Sequence, residues 1–165
     1  MSKQVERLQE SENGAKVSIA VYILMAGLKL GVGLFFNASS LIADGFNNFG
    51  DVISSIAMLI GLRTSRIPPD DNHPYGHWKA ESIASLLTSF IMILLGMQVL
   101  TDAIGKILSG ELTAPNPLAG IVGLISAMVM WGVHRYNLNL SYKTHSKGLK
   151  AVAKDNLADA LTSLA

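Results

Sequence analysis

The chain has 165 residues, half of them hydrophobic and only 15% charged, against about 25% charged in an ordinary soluble domain. That is too few charges to clothe a soluble surface of this size. A formal net charge of +1, with no basic face carrying interleaved aromatics, argues against a nucleic-acid partner, and the absence of cysteine excludes disulfides and thiolate metal sites.

The first 14 residues are polar and charged and lack the apolar region and cleavage site of a secretory signal. They are expected to form an N-terminal tail ahead of a transmembrane domain at 15–165. Five stretches can lie in a bilayer, whose apolar core takes about 20 helical residues to cross. The first, 16–36, is interrupted only by Lys29. The second, 39–62, is less apolar and holds Asp44, Asn47, Asn48 and Asp51. A polar segment, 63–78, follows with Pro68-Pro69 and Asp70-Asp71, then a third stretch at 79–108. A loop at 109–117 contains Gly110, Pro115 and Pro117. The fourth stretch is 118–140, and a basic linker at 141–147 leads to a fifth that begins near Gly148 and is expected to run on to Ala165. The fold class is therefore an all-α membrane protein, a transmembrane helix bundle with antiparallel neighbours. Gly27, Gly31 and Gly33, and Ser54, Ser55 and Ala57, are small enough to let backbones approach.

Basic residues alternate between the ends of these stretches. Lys3, Arg7 and Lys16, then Arg63, Arg66 and Lys79, then Lys143, Lys147 and Lys150 mark one side. The intervening loops have none, apart from Lys106 at an edge. By the positive-inside rule the chain is multi-pass, with its N-terminus, the 63–78 loop and the 141–150 linker in the cytoplasm.

Asp44, Asn47 and Asp51 are three and four residues apart, the spacing of one helix face. Asp155 and Asp159 repeat it in the fifth stretch. A charge at bilayer depth costs about 2.5–3.5 kcal/mol on insertion scales, so these stripes require a partner. If they face each other, carboxylate and amide oxygens converge into an all-oxygen site suited to a hard cation or Mn²⁺. Metal and protons would then compete for the same oxygens. The competing interpretation is ordinary helix packing, with Lys29 or Lys154 as counter-charges; Asn48 and Asn156 are read as packing or interhelical hydrogen-bonding groups.

Asp70, His73 and His77 are close enough to share a metal. Pro74 and Gly76 make the segment a turn, and on spacing alone a solvated turn explains it. His134 and Arg135 are read as interfacial, beside Trp131 and Tyr136. His145 is read as solvated, and the seven methionines as packing. No nucleophile elbow, phosphate-binding glycine loop or metalloprotease His pair is present, so no enzymatic activity and no cofactor are expected.

The stretches SSLIADGFNNFGD (39–51), PDDNHPYGHWKAES (69–82) and KDNLADALTS (154–163) together resemble the cation diffusion facilitator transporters, from about Gly14 onward. The resemblance implies a homodimeric exporter of divalent metal in exchange for protons, in the bacterial plasma membrane. It implies a transport site at Asn47, Asp51, Asp155 and Asp159 and a possible second site at Asp70, His73 and His77. Zinc-selective members usually carry His at the first position of the fifth-helix pair. Asn47 with Asp155 looks instead like manganese-exporting bacterial members, with Zn²⁺ or Fe²⁺ as other possible substrates. It also implies six helices and, in most members, a cytoplasmic C-terminal domain. Against that pattern the sequence is expected to be C-terminally truncated, with five helices and the fifth incomplete. An alternative expectation is a truncated, non-transporting membrane module that pairs with a full-length transporter.

Overall fold

The computed structural model describes residues 3–110 and 117–164. Five helices occupy them: α1 (Lys3–Phe35), α2 (Ser39–Thr64), α3 (Ala80–Ser109), α4 (Pro117–Thr144) and α5 (Lys147–Thr162). By length and composition, α1 and α3 are each sufficient to cross a membrane. Residues 111–116, including Pro115 of the expected 109–117 loop, lie outside the described residues.

Three boundaries differ from the sequence reading by more than two residues, one being the end of the fourth helix, which runs to Thr144 and takes in 141–144 of the expected linker. The first helix starts at Lys3 rather than near Lys16, so much of the polar tail is helical. Leu8, Ser11, Glu12 and Ala15 recur at helical spacing and are all buried. Leu8 and Ala15 pack with Met58, Leu62, Ala84, Leu149 and Val152. The Glu12 carboxylate meets Arg66 at 2.5 Å, Arg63 at 3.5 Å and Lys16 at 3.7 Å. Tertiary burial and these ion pairs extend a helix that hydropathy alone would begin later. The fifth helix ends at Thr162 instead of continuing to Ala165; the Ser163 N–H closes its last turn on the Asp159 carbonyl, 3.0 Å away.

The connections follow local chemistry. Asn37 takes the left-handed conformation (φ 51°) between α1 and α2, and the Ala38 N–H donates to the Gly33 carbonyl at 2.8 Å. Between α4 and α5, Ser146 caps the new helix by accepting from the Leu149 N–H at 3.0 Å. Glu81 of α3 reinforces this end: one carboxylate oxygen accepts from the Ser146 hydroxyl at 2.6 Å and the Gly148 N–H at 3.0 Å. The three basic segments therefore gather at one end of the bundle.

Large apolar side chains point outward on every helix. Leu24 and Leu34 of α1, Phe46 and Ile53 of α2, Leu86 and Ile93 of α3, Met128 and Trp131 of α4, and Leu161 of α5 are exposed. Lys29, Asn48, Asp51, Asn137, Asp155 and Asn156 are buried. An apolar exterior over a polar interior is the arrangement lipid demands, because polar groups at that depth must be satisfied inside the protein.

The small residues divide by position. A Cβ on Gly61 would lie 2.2 Å from the Ala84 Cβ, and one on Gly33 would lie 2.8 Å from Ile42. Around Gly27 and Gly31, by contrast, no described atom lies within 4 Å of such a Cβ. Those two glycines face outward, so the close approach expected of them is made at Gly33 and Gly61.

Candidate metal centre

Helical spacing puts Asp44, Asn47 and Asp51 on the inward side of α2 and Asp155 and Asp159 on the inward side of α5. Packing brings α2 and α5 together beside α3. Asp51, Asp155 and Asp159 each offer a carboxylate oxygen, and the three oxygens lie within 4.8 Å of one another. Asp51 and Asp155 are buried and Asp159 half-buried. Asn47 joins these three in lining a cavity of about 230 Å³, closed on the α3 side by Met92, Leu95, Gly96 and Val99. Asn47, Asp51, Asp155 and Asp159 together offer only oxygen donors, three carboxylates and one amide carbonyl. Hard divalent cations and Mn²⁺ prefer such donors.

Asp44 lines the same cavity but has a different partner. Its carboxylate lies 2.7 Å from the Lys29 ammonium, which also reaches the Ser163 hydroxyl at 3.4 Å. The counter-charge interpretation thus holds for Asp44 and Lys29. Lys154 is exposed, and among the described residues it forms no salt bridge with these carboxylates.

Asn156 is buried, as a packing and hydrogen-bonding residue should be. Its Oδ1 accepts from Asn137 Nδ2 at 2.8 Å and from the Ser18 hydroxyl at 3.3 Å, while its Nδ2 donates to the Tyr22 hydroxyl at 2.9 Å. The Tyr22 hydroxyl in turn donates to Asp159 Oδ2. Asn48 is also buried, but its Nδ2 has no hydrogen-bond partner among the described residues. Sequence reasoning did not single out Tyr22, Ser18 or Asn137. The available signal was a stripe on the first helix: Ser11, Ser18, Tyr22 and Lys29 are spaced by seven, four and seven.

His134 was expected near an interface. Within the bundle it is buried, with Nδ1 2.6 Å from the Ala153 carbonyl. A carbonyl can only accept, so the proton sits on Nδ1 and the bond ties α4 to α5. Arg135 is exposed and stands 6.0 Å over the Trp131 ring. His145 is exposed.

In the connection between α2 and α3, Asp70, His73 and His77 come together. His73 Nδ1 is 3.2 Å from Asp70 Oδ1, and His77 Nε2 is 3.7 Å from Asp70 Oδ2. The chain turns there as Pro74 and Gly76 require, with φ 76° at Gly76 and the Gly76 N–H donating to the His73 carbonyl at 2.8 Å. Asp70 organises the turn, accepting from the His73 N–H at 2.7 Å and the Asn72 N–H at 3.0 Å. The His73 backbone bond, then its ring, hold the Asp70 carboxyl below the usual carboxylate range.

Residues 15–165 match the cation efflux transmembrane domain. The chain belongs to the cation diffusion facilitator family. Within the family it is 45% identical over 162 residues to the manganese efflux system protein MneS of Bacillus subtilis (strain 168), covering 98% of this chain and 56% of that protein. It is 36% identical over 161 residues to the manganese efflux system protein MneP of the same organism, covering 97% and 54%. Magnetosome protein MamM of Magnetospirillum gryphiswaldense (strain MSR-1) is 30% identical over 148 residues, covering 89% and 46%. The chain thus spans about half the length of these family members.

Proposed function

We propose that the protein exports a divalent metal ion, Mn²⁺ in preference to Zn²⁺ or Fe²⁺, in exchange for protons. Asn47, Asp51, Asp155 and Asp159 are the proposed ligands. The observation that carries this reading is the convergence of three carboxylates from α2 and α5 on one interior cavity. Such a cluster is costly in an apolar bundle unless something neutralises it, and either a divalent cation or protons can do so. Alternation between the two is the physical basis of exchange. The preference for Mn²⁺ rests on the lack of imidazole and thiolate in the site and on similarity to two manganese efflux proteins.

The protein is proposed to act as a multi-pass homodimer in the bacterial plasma membrane, with the end holding Glu12, Arg66 and Ser146 in the cytoplasm. Asp70, His73 and His77 are proposed as a second metal site on that side. The test is efflux from cells or vesicles carrying the protein, compared across Mn²⁺, Zn²⁺ and Fe²⁺. Asp51→Ala is expected to abolish efflux; efflux that survives it would overturn the site assignment.

A further inference from the structure

The four proposed ligands come from α2 and α5, yet α1 also reaches the site. Tyr22 is fully buried, packed with Met25, Met130 and Ala160. Its hydroxyl lies between Asn156, which donates to it, and Asp159, to which it donates. The direction of these bonds is set further back. Asn137 Nδ2 donates both to Ser18 Oγ at 2.7 Å and to Asn156 Oδ1 at 2.8 Å. With its oxygen engaged there, Asn156 turns its NH₂ toward Tyr22. An amide nitrogen can only donate, so the Tyr22 proton is left to Asp159. Every bond in the chain points toward the carboxylate, and bonds aligned this way polarise one another. Ser18, Asn137 and Asn156 are all fully buried, so water does not compete for these contacts.

We infer that Tyr22, held by Asn156, is a positioning residue that fixes the orientation of the Asp159 carboxylate for the metal ion. This rests on the proposed reading of Asp159 as a ligand. The physical reason is that a carboxylate free to rotate must be ordered when the cation arrives, whereas one already held by a donor is not. Hydrogen-bond partners of ligating side chains typically change metal affinity or activity by about 10–100-fold when removed. The arrangement also links the site to α1 and α4, through Ser18 and Asn137, so their seating against α5 bears on the ligand geometry.

The test compares wild type, Tyr22→Phe, Asn156→Ala and the double variant, with Asp51→Ala marking loss of the site itself. Mn²⁺ binding in detergent is read by electron paramagnetic resonance of free Mn²⁺, and Mn²⁺ uptake is measured in proteoliposomes. Tyr22→Phe keeps the ring and its packing. It is expected to weaken Mn²⁺ binding and raise KM by about 10–100-fold. Asn156→Ala should move both in the same direction but less, and the double variant should be no worse than Tyr22→Phe. A Tyr22→Phe protein that melts at a lower temperature without metal, but binds and transports Mn²⁺ as wild type does, would mean a structural role only and overturn the inference. If wild type binds Mn²⁺ without transporting it, the transport reading fails. The Tyr22→Phe affinity then still decides: weaker binding supports positioning, and equal binding overturns it. If wild type binds none of Mn²⁺, Zn²⁺ or Fe²⁺, both readings are overturned.

Discussion

The Lys29 ammonium and the Asp44 carboxylate meet at 2.7 Å, but the two side chains are not equally buried: Lys29 is 1% exposed and Asp44 30%. Removing one partner therefore differs from removing the other. Asp44→Ala leaves a buried cation whose remaining hydrogen bond among the described residues is to the Ser163 hydroxyl at 3.4 Å, with the Asp51 and Asp159 carboxylates still acting on it. It should destabilise the protein more than Lys29→Ala does, by up to about 3–5 kcal/mol. Lys29→Ala leaves a carboxylate that water can still reach, at a cost on the order of 1–3 kcal/mol. The double variant should recover much of the Asp44→Ala loss. Unfolding in detergent checks the order; equal losses for the two single variants would contradict it.

Gly61→Ala should separate α2 from α3. The new methyl would overlap the Ala84 Cβ at 2.2 Å and crowd the Ala80 carbonyl at 3.0 Å. Overpacking of this kind costs about 1–3 kcal/mol. Gly27→Ala points into open space and should instead stabilise the helix by up to about 1 kcal/mol. Melting temperatures of the two variants should move in opposite directions.

Replacing Asn47 and Asp155 together by His substitutes imidazole for oxygen donors at the cavity. Transport should shift from Mn²⁺ toward Zn²⁺, because imidazole suits the softer ion. Competition between the two metals in vesicle uptake measures the shift. An unchanged Mn²⁺ preference would show that ligand softness does not set selectivity here.

The hold of the Asp70 carboxylate on the His73 and Asn72 N–H groups should persist across the neutral range. The folded-state pKa of Asp70 is depressed, first by the His73 backbone N–H. The turn's contribution is thus fully present above the ordinary carboxylate range and is lost as pH falls through the depressed folded value. Protection of the His73 amide in the metal-free protein, its exchange rate compared with an unstructured peptide at the same pH, should fall in that acid range. Asp70→Ala should lower it at neutral pH.

Some of the site was legible because helical periodicity is local. Asp44, Asn47 and Asp51 announce one face, and Asp155 and Asp159 another, without knowledge of any neighbour. The turn at His73 was legible for the same reason: Pro74 and Gly76 constrain their own backbone. The burial of His134 was not, since a histidine next to Arg135, Trp131 and Tyr136 reads locally as interfacial. Its environment is set by the Ala153 carbonyl, 19 residues away.

The two polar stripes are therefore determined by sequence, as are the helices that carry them and the oxygen-rich chemistry they offer. Sequence does not decide how those helices rotate against one another, because that depends on side chains packed across the whole bundle. The tertiary structure separates Asp44 from the three-carboxylate cluster by giving it Lys29. It also brings Tyr22 of α1 onto Asp159 of α5, 137 residues along the chain. Hydropathy registers the cost of a buried polar group but not its partner, and the partner is chosen only when the helices pack.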